Sequence, residues 1–370
     1  MLGRIHIDNY RCFSNFELRP DRVNLLLGAN GSGKSSLVEV LTAIVRLVRT
    51  GLEVGDLFPA STLTRWDSRL EQRFELELDL DGDAYSYSLR VEQEGEARRT
   101  AIAEERVTLA GRTLFAFVNG TVHLHNNDGK EGTSFPFRPT RSFLAEMQPR
   151  AENTALMKLL DHLNRTRVLK LIPSAMGSVS HEESSSLRSD GANIASWYRH
   201  IAQENPAALH ELFSRLQGAI PGFQSLALTG AGNQGRTRDL VAKCIAPASN
   251  PFFVDFADLS DGQRVLVVLY TLLLDLRTGA GLVLLDEPDN YVSLREIQPW
   301  LAALDDALGD DGQLLLISHH PEVINYLAPE RPLLFTREAG GPVRVVDPGF
   351  DREQGLQASE QIARGWLDVG

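Results

Sequence analysis

Leu25-Leu26-Leu27-Gly28-Ala29-Asn30-Gly31-Ser32-Gly33-Lys34-Ser35-Ser36 is the stretch from which the rest of this 370-residue chain can be read. It fits G-x-x-x-x-G-K-[ST], with an apolar run before it and a helix-like run after it. Gly28, Gly31 and Gly33 allow the N–H groups of the loop, those of Asn30, Ser32 and Ser36 included, to turn inward around a polyphosphate. The helix that follows offers its positive end to the same anion. Lys34 is placed to contact β- and γ-phosphates, and the Ser35 hydroxyl to complete the shell of a Mg2+ ion. The plainer alternative is a glycine-rich turn that merely joins a strand to a helix. By itself the motif leaves kinase, GTPase, transporter engine and DNA-linked ATPase open.

Outward from the loop, Val23–Leu27 reads as a buried strand and Ser35 to about Val48 as a helix. Leu37, Val40, Leu41, Ile44, Val45 and Val48 recur near a 3.6-residue period. Upstream, Arg4–Ile7 and Phe16–Leu18 read as short strands flanking Asn9-Tyr10-Arg11-Cys12-Phe13; downstream, Gly51 to Leu63 is a loop. From Phe74 to about Leu124 the period changes to two. Phe74–Leu80 alternates cleanly, and Asp81-Gly82 and Asn119-Gly120 are hairpin signals, so an antiparallel meander is expected. From Arg141 to Gln217 the pattern turns helical, with Ser174–Gly191 as a Ser- and Gly-rich loop and no sustained heptads. Strands return after Phe223; Leu333–Phe335 and Val343–Val346 read as closing strands and Gln357–Trp366 as a terminal helix.

The composition, 43% hydrophobic and 23% charged, is that of a soluble globular protein, and the formal charge of −12 argues against a surface coated in positive charge. Arginines cluster at Arg65, Arg69 and Arg73, at Arg98 and Arg99, and at Arg138, Arg141 and Arg150; each cluster reads either as solvated surface or as a local DNA contact. Apolar runs such as Val265–Leu274 are too short to span a bilayer, and MLGRIHIDNY lacks the apolar core of a signal peptide. Cys12 and Cys244 fit neither a disulfide framework nor a zinc site, so a reducing cytoplasm is the expected location.

Three further motifs follow the loop. Leu259-Ser260-Asp261-Gly262-Gln263-Arg264 opens an apolar helix, where Ser260 and Asp261 could simply be N-capping residues. Leu282–Leu285 is an apolar strand ending in Asp286-Glu287-Pro288, which puts two carboxylates at the C-terminal edge of a parallel sheet, where ligands of α/β sheets bind. Leu314–Ile317 is another such strand, ending in Ser318-His319-His320-Pro321. In this order the four motifs resemble the ABC-type ATPases, whose signature reads LSGGQ in its usual form. The resemblance implies that Asp286 organises Mg2+, that Glu287 polarises the attacking water, and that His319 senses the γ-phosphate, with His320 as the alternative. It also implies that Ser260 and Gly262 of a second copy close over the bound ATP, so that a homodimer clamps two nucleotides head to tail.

The flanks narrow the branch. Ile5–Phe13 resembles the "nFRsF" opening of the RecF, SMC and OLD-like ATPases, where the arginine, here Arg11, lies near the nucleotide phosphates. Leu187–Ile194, Pro221-Gly222-Phe223 and Ser318–Pro321 look like RecF-like predicted ATPases of the AAA/OLD type. The resemblance implies an α/β P-loop NTPase head with an antiparallel β subdomain and a short α-helical insert: residues 1–140 and 224–370 form the two halves of the head and 141–223 the insert. Gln148, in Glu146-Met147-Gln148-Pro149, is the candidate for the Q-loop glutamine that would help hold Mg2+ and water, with Glu146 as the alternative. Ser293 stands where relatives often carry a histidine or an aspartate. The function implied is an ATP-hydrolysing switch in DNA repair or phage defence, without a membrane partner and with DNA as a candidate contact. The alternatives are the engine of an ABC transporter and a regulatory ATP-binding partner of a toxic effector. OLD enzymes carry a C-terminal Toprim nuclease; only about 50 residues follow His319 where a domain needs roughly 100, so any nuclease is expected in a partner.

Overall fold

The computed structural model describes residues 1–94, 99–230, 236–277, 279, 281–310, 312–328, 332–350 and 356–364. Strands β1 (Leu2–Asp8) and β2 (Phe16–Leu18) precede β3 (Val23–Leu27) and helix α1 (Lys34–Thr50). A one-turn helix α2 (Val54–Leu57) leads into β4 (Glu71–Leu80), β5 (Asp83–Glu94), β6 (Arg99–Leu109), β7 (Arg112–Val118), β8 (Thr121–His125) and β9 (Glu131–Pro136). Next come α3 (Thr154–Arg165), β10 (Arg167–Leu169), β11 (Val179–Ser180), α4 (Ile194–Glu204), α5 (Leu209–Ala219), β12 (Phe223–Gly230), β13 (Arg238–Cys244) and β14 (Phe252–Asp255). The last part holds α6 (Asp261–Arg277), β15 (Leu282–Asp286), α7 (Leu294–Leu308), β16 (Gln313–Ile317), α8 (Pro321–Leu327), β17 (Pro332–Thr336), β18 (Arg344–Val346) and α9 (Ala358–Ala363).

The central sheet runs β10-β15-β16-β3-β17-β18. Its first five strands are parallel and β18 closes the edge antiparallel. The unbroken apolar runs of the sequence lie in its middle because both faces are covered. Leu26, Leu284, Leu315 and Ile317 share one core with α1 and the meander. Leu25, Leu27, Val283, Leu285, Leu314 and Leu316, pointing the other way, share a second core with α4, α6 and α7. Helix α6 is buried along the whole of Val265–Leu274, which explains an apolar run too dense for an amphipathic helix.

The meander forms an eight-stranded antiparallel sheet in the order β2-β1-β4-β5-β6-β7-β8-β9. Asp81-Gly82 and Asn119-Gly120 take positive φ at both residues, the backbone that two-residue hairpins require. Gln313 ties this sheet to the central one: its side chain accepts from the Leu2 N–H at 2.7 Å and donates to the Leu2 and Asp21 carbonyls at 2.9 and 3.0 Å. β12, β13 and β14, with β11 added, make a third sheet.

Residues 141–223 contain the helices α3, α4 and α5 as expected, and they also supply β10 to the central sheet and β11 to the third. The Ser- and Gly-rich segment is tied down rather than free: Lys170 and Ile172 N–H groups donate to Ser189 and Asp190 carbonyls at 2.8 and 3.0 Å. The expected terminal helix is present as α9, while Trp366, like Arg98 of one arginine cluster, lies outside the described residues.

Candidate nucleotide-binding and hydrolytic site

Strand β3 delivers the phosphate loop to the C-terminal edge of the central sheet. Two glycines there are dictated by space as well as by φ. At Gly28 (φ 142°) a Cβ would stand 2.4 Å from the Phe335 carbonyl oxygen, and at Gly33 (φ 108°) 2.7 Å from Val343. Helix α1 then begins at Lys34 with no capping side chain and no acid in its first turn. Its N–H groups and positive end are therefore left for an external anion. The buried Lys34 ammonium folds back on the loop, donating to the Gly28 and Ala29 carbonyls at 2.5 and 3.2 Å and to Ser32 Oγ at 3.4 Å. Burial pulls its pKa below the ordinary lysine value, against the raising influence of Glu287 and Asp286.

The loop faces a cleft of about 420 Å³ lined by Arg11, Asn30, Gly31, Ser32, Gly33, Lys34, Ser35 and Ser36, and by Glu287, which follows β15, two strands along the sheet from β3. That volume falls within the roughly 300–1,000 Å³ of small-molecule sites. Arg11 has a left-handed backbone (φ 51°) and pairs with Glu39 at 2.8 Å.

Asp286 ends β15 and is buried, with the Lys170 ammonium 2.9 Å from its Oδ2. Lys170 directly follows β10, the neighbour of β15, and its hydrogen bond to Asp286 raises its pKa. Glu287 turns out of the strand with φ 50°, while its N–H still donates to the Ile317 carbonyl at 2.9 Å. Its Oε2 accepts from Asn290 Nδ2 at 2.7 Å, and His319 Nε2 lies 3.5 Å from Oε1. Beneath them the buried Ser318 hydroxyl donates to Asp289 Oδ2 at 2.9 Å and accepts from the His320 N–H at 3.0 Å, locking the two strand-end loops together. Burial raises the Asp289 carboxyl, against the Ser318 hydrogen bond.

Among the described residues no group of three His, Cys, Asp or Glu side chains forms a ready metal cage. Ser35 and Asp286 fit Mg2+ nonetheless, since that ion takes one or two protein oxygens and completes its shell with phosphate and water. The cation already standing against Asp286, that of Lys170, marks the spot as one that wants positive charge.

Not every expected residue joins the cleft. Gln148 lines a separate cavity with Leu124, Phe143 and Leu156, and its carbonyl accepts from Asn153 Nδ2 at 3.0 Å. Glu146 lines that same cavity and pairs with Arg138. The sheet order instead puts Lys170 beside Asp286. Ser260 and Gly262 do not line the cleft either, and neither do Asp286 and His319. Ser260 caps its own helix, exchanging hydrogen bonds with Gln263 at 3.0 and 3.3 Å, and Gly262 packs where a Cβ would stand 2.5 Å from the Tyr291 carbonyl oxygen. Ser293 caps α7 reciprocally with Glu296. Residues that motif reading missed complete the wall: Arg65, the half-exposed Trp66, and Arg337, which stacks 5.8 Å over the Trp66 ring and donates to the Gly31 carbonyl at 3.1 Å. Arg337 just follows β17, and that strand-end position was the one available signal.

Residues 1–61 match a family model described as an AAA ATPase domain, and residues 247–325 match one described as an AAA domain, putative AbiEii toxin, type IV TA system. No curated protein gives a significant match. Among solved structures, an SMC head bound to the C-terminal winged-helix domain of ScpA aligns with TM-score 0.55 at 14% identity, covering 96% of this chain and 99% of that one. An SMC head with an extended coiled coil bound to the C-terminal domain of ScpA, derived from Pyrococcus furiosus, aligns with TM-score 0.53 at 12% identity, covering 98% and 99%. At such identities the likeness speaks for the fold, and the two family models fall on the segments that carry the phosphate loop and the Ser260, Asp286 and His319 motifs. The motif order and the two family models make the chain similar to ABC-type P-loop ATPases, and its fold is similar to that of SMC heads.

Proposed function

We propose that the chain binds ATP with Mg2+ and hydrolyses it, switching between an open monomer and a head-to-tail homodimer. One observation carries the reading: the Glu287 carboxylate stands at the rim of the phosphate-loop cleft with Asn290 and His319 against its two oxygens. Glu287 is the general base that orients and deprotonates water, a role typically worth about 10²–10⁴ in rate. Asn290 and His319 hold its direction, and His319 also reports on the γ-phosphate. Lys34, released from the Gly28 and Ala29 carbonyls, moves to the β- and γ-phosphates. Mg2+, when held by Ser35 and Asp286, supplies charge neutralisation to those phosphates. The motif resemblance implies that Ser260 and Gly262 of a second copy complete the site.

Downstream, the switch would act in DNA repair or phage defence, through DNA or a partner protein docked on the head; the solved SMC heads bound to ScpA domains support the latter arrangement. A second reading, an ATP-binding regulator of a toxic effector, is favoured by the toxin description of the model matched at 247–325. Steady-state turnover of wild type, Lys34→Ala and Glu287→Gln separates them. The switch reading expects Glu287→Gln to lose about 10²–10⁴ in rate while still binding nucleotide. Wild-type turnover no higher than that of Lys34→Ala would favour the second.

A further inference from the structure

About 20 Å along α1 from the phosphate loop, at 1.5 Å per residue, the helix ends beside a second basin of about 390 Å³. Its walls are the last turns of α1, the start of β10 and the loop at 186–189. Four arginines line it, Arg46, Arg49, Arg167 and Arg188, together with Thr42, Thr50, Thr166, Ser186 and Ser189. No carboxylate does. In a chain with a formal charge of −12 this is a local inversion of sign.

The charges can be balanced one by one. Arg167 is half of an inward-facing pair with Asp275 at 2.8 Å, and Arg188 pairs with Asp190 at 3.0 Å. Among the described residues neither Arg46 nor Arg49 has a carboxylate within ion-pair reach; Arg49 donates to the Ser186 hydroxyl at 2.5 Å. The C-terminal end of α1 offsets only about half a charge. What remains is roughly one and a half to two positive charges, the complement of a phosphoryl group carrying about −1.5 to −2; the Thr42, Thr50 and Thr166 hydroxyls already donate to the Val38, Arg46 and His162 carbonyls. The guanidinium fork suits planar, bidentate contact with its oxygens. By contrast the arginine clusters that stand out in sequence are largely neutralised: Arg69 by Asp8 and Asp67, Arg73 by Glu75, Arg141 by Glu53.

We propose that the basin lined by Arg46, Arg49, Arg167 and Arg188 is a binding site for a phosphoryl group, separate from the phosphate loop. It does not depend on what the phosphate loop binds. The group can arrive on a small phosphorylated molecule or on a nucleic-acid backbone, and the test distinguishes the two. Both arms use the full chain carrying Lys34→Ala, which weakens the phosphate loop, with and without Arg46→Ala plus Arg49→Ala. These two side chains are exposed, and matching thermal unfolding curves confirm that the fold persists. In one arm pyrophosphate is titrated by calorimetry; in the other a fluorescein-labelled 20-base-pair DNA duplex is titrated by anisotropy at several salt concentrations. The site predicts about tenfold weaker binding per guanidinium removed in at least one arm. Loss in the pyrophosphate arm assigns it to small phosphorylated ligands. Loss in the DNA arm alone, with a salt slope shallower by about two, assigns it to a nucleic-acid backbone. Binding unchanged by the two substitutions in both arms overturns the proposal.

Discussion

Glu287 is held with φ 50°, a conformation that costs a non-glycine residue of the order of 1–3 kcal/mol. The hydrogen bond from its N–H to Ile317 and the Asn290 contact hold it there, which aims the carboxylate into the cleft instead of along the strand. Its neighbour Asp286 faces the opposite demand, because a buried carboxylate needs a compensating cation and Lys170 supplies one. On the proposed function, Mg2+ held by Asp286 would share or displace that ammonium. Lys170→Met is therefore expected to lower the Mg2+ concentration that half-saturates nucleotide binding by about three- to tenfold, the pair being exposed on the lysine side. Fluorescent-nucleotide binding under Mg2+ titration measures this; an unchanged midpoint would mean that the ion pair has no part in the metal's site. The phosphate loop and the acid pair were legible in sequence because their chemistry is local, with every ligand group within a dozen residues. Lys170 was not, since only the pairing of β10 with β15 brings it within 2.9 Å of a residue 116 positions away. Gln148 carries no local signal beyond its residue type, and the loop before α3 places it at another cavity.

At the scale of elements, periodicity predicted what it could: α1 from its 3.6-residue stripe, the meander from alternation and its Asn-Gly and Asp-Gly turns, the central strands from unbroken apolar runs. β10 escaped because a three-residue strand has no period to read and follows directly on α3. The meander also hides a titratable group. Glu105 on β6 is fully buried, accepting from the Tyr87 hydroxyl at 2.9 Å and the Ser142 hydroxyl at 2.8 Å. Burial raises its pKa from 4.5 to about 7, against both hydrogen bonds. Between those values the folded chain keeps a proton that the unfolded chain has released, so stability falls as pH rises through that window and levels off above it. At 1.36 kcal/mol per unit the loss is roughly 3 kcal/mol. Urea unfolding at pH 5 and pH 8 should accordingly show Glu105→Gln gaining on wild type at the higher pH by an amount of that order. Equal differences at both pH values would show that Glu105 ionises as freely folded as unfolded.

Over the whole molecule, two cores on opposite faces of one parallel sheet fix the relative positions of phosphate loop, acid pair and His319. Among the described residues no helix is long and apolar enough to cross a membrane. Ser260 is not among the residues lining the cleft of its own chain and exchanges hydrogen bonds with Gln263 at the N-terminus of its helix. On the proposed function two copies make one complete site, and sedimentation velocity of Glu287→Gln tests this most directly, because slowed hydrolysis should trap the closed form. With saturating ATP and Mg2+ the chain should sediment as a dimer, and without ATP, or with Ser260→Arg added, as a monomer. A Glu287→Gln chain that binds ATP to saturation and remains monomeric would contradict it.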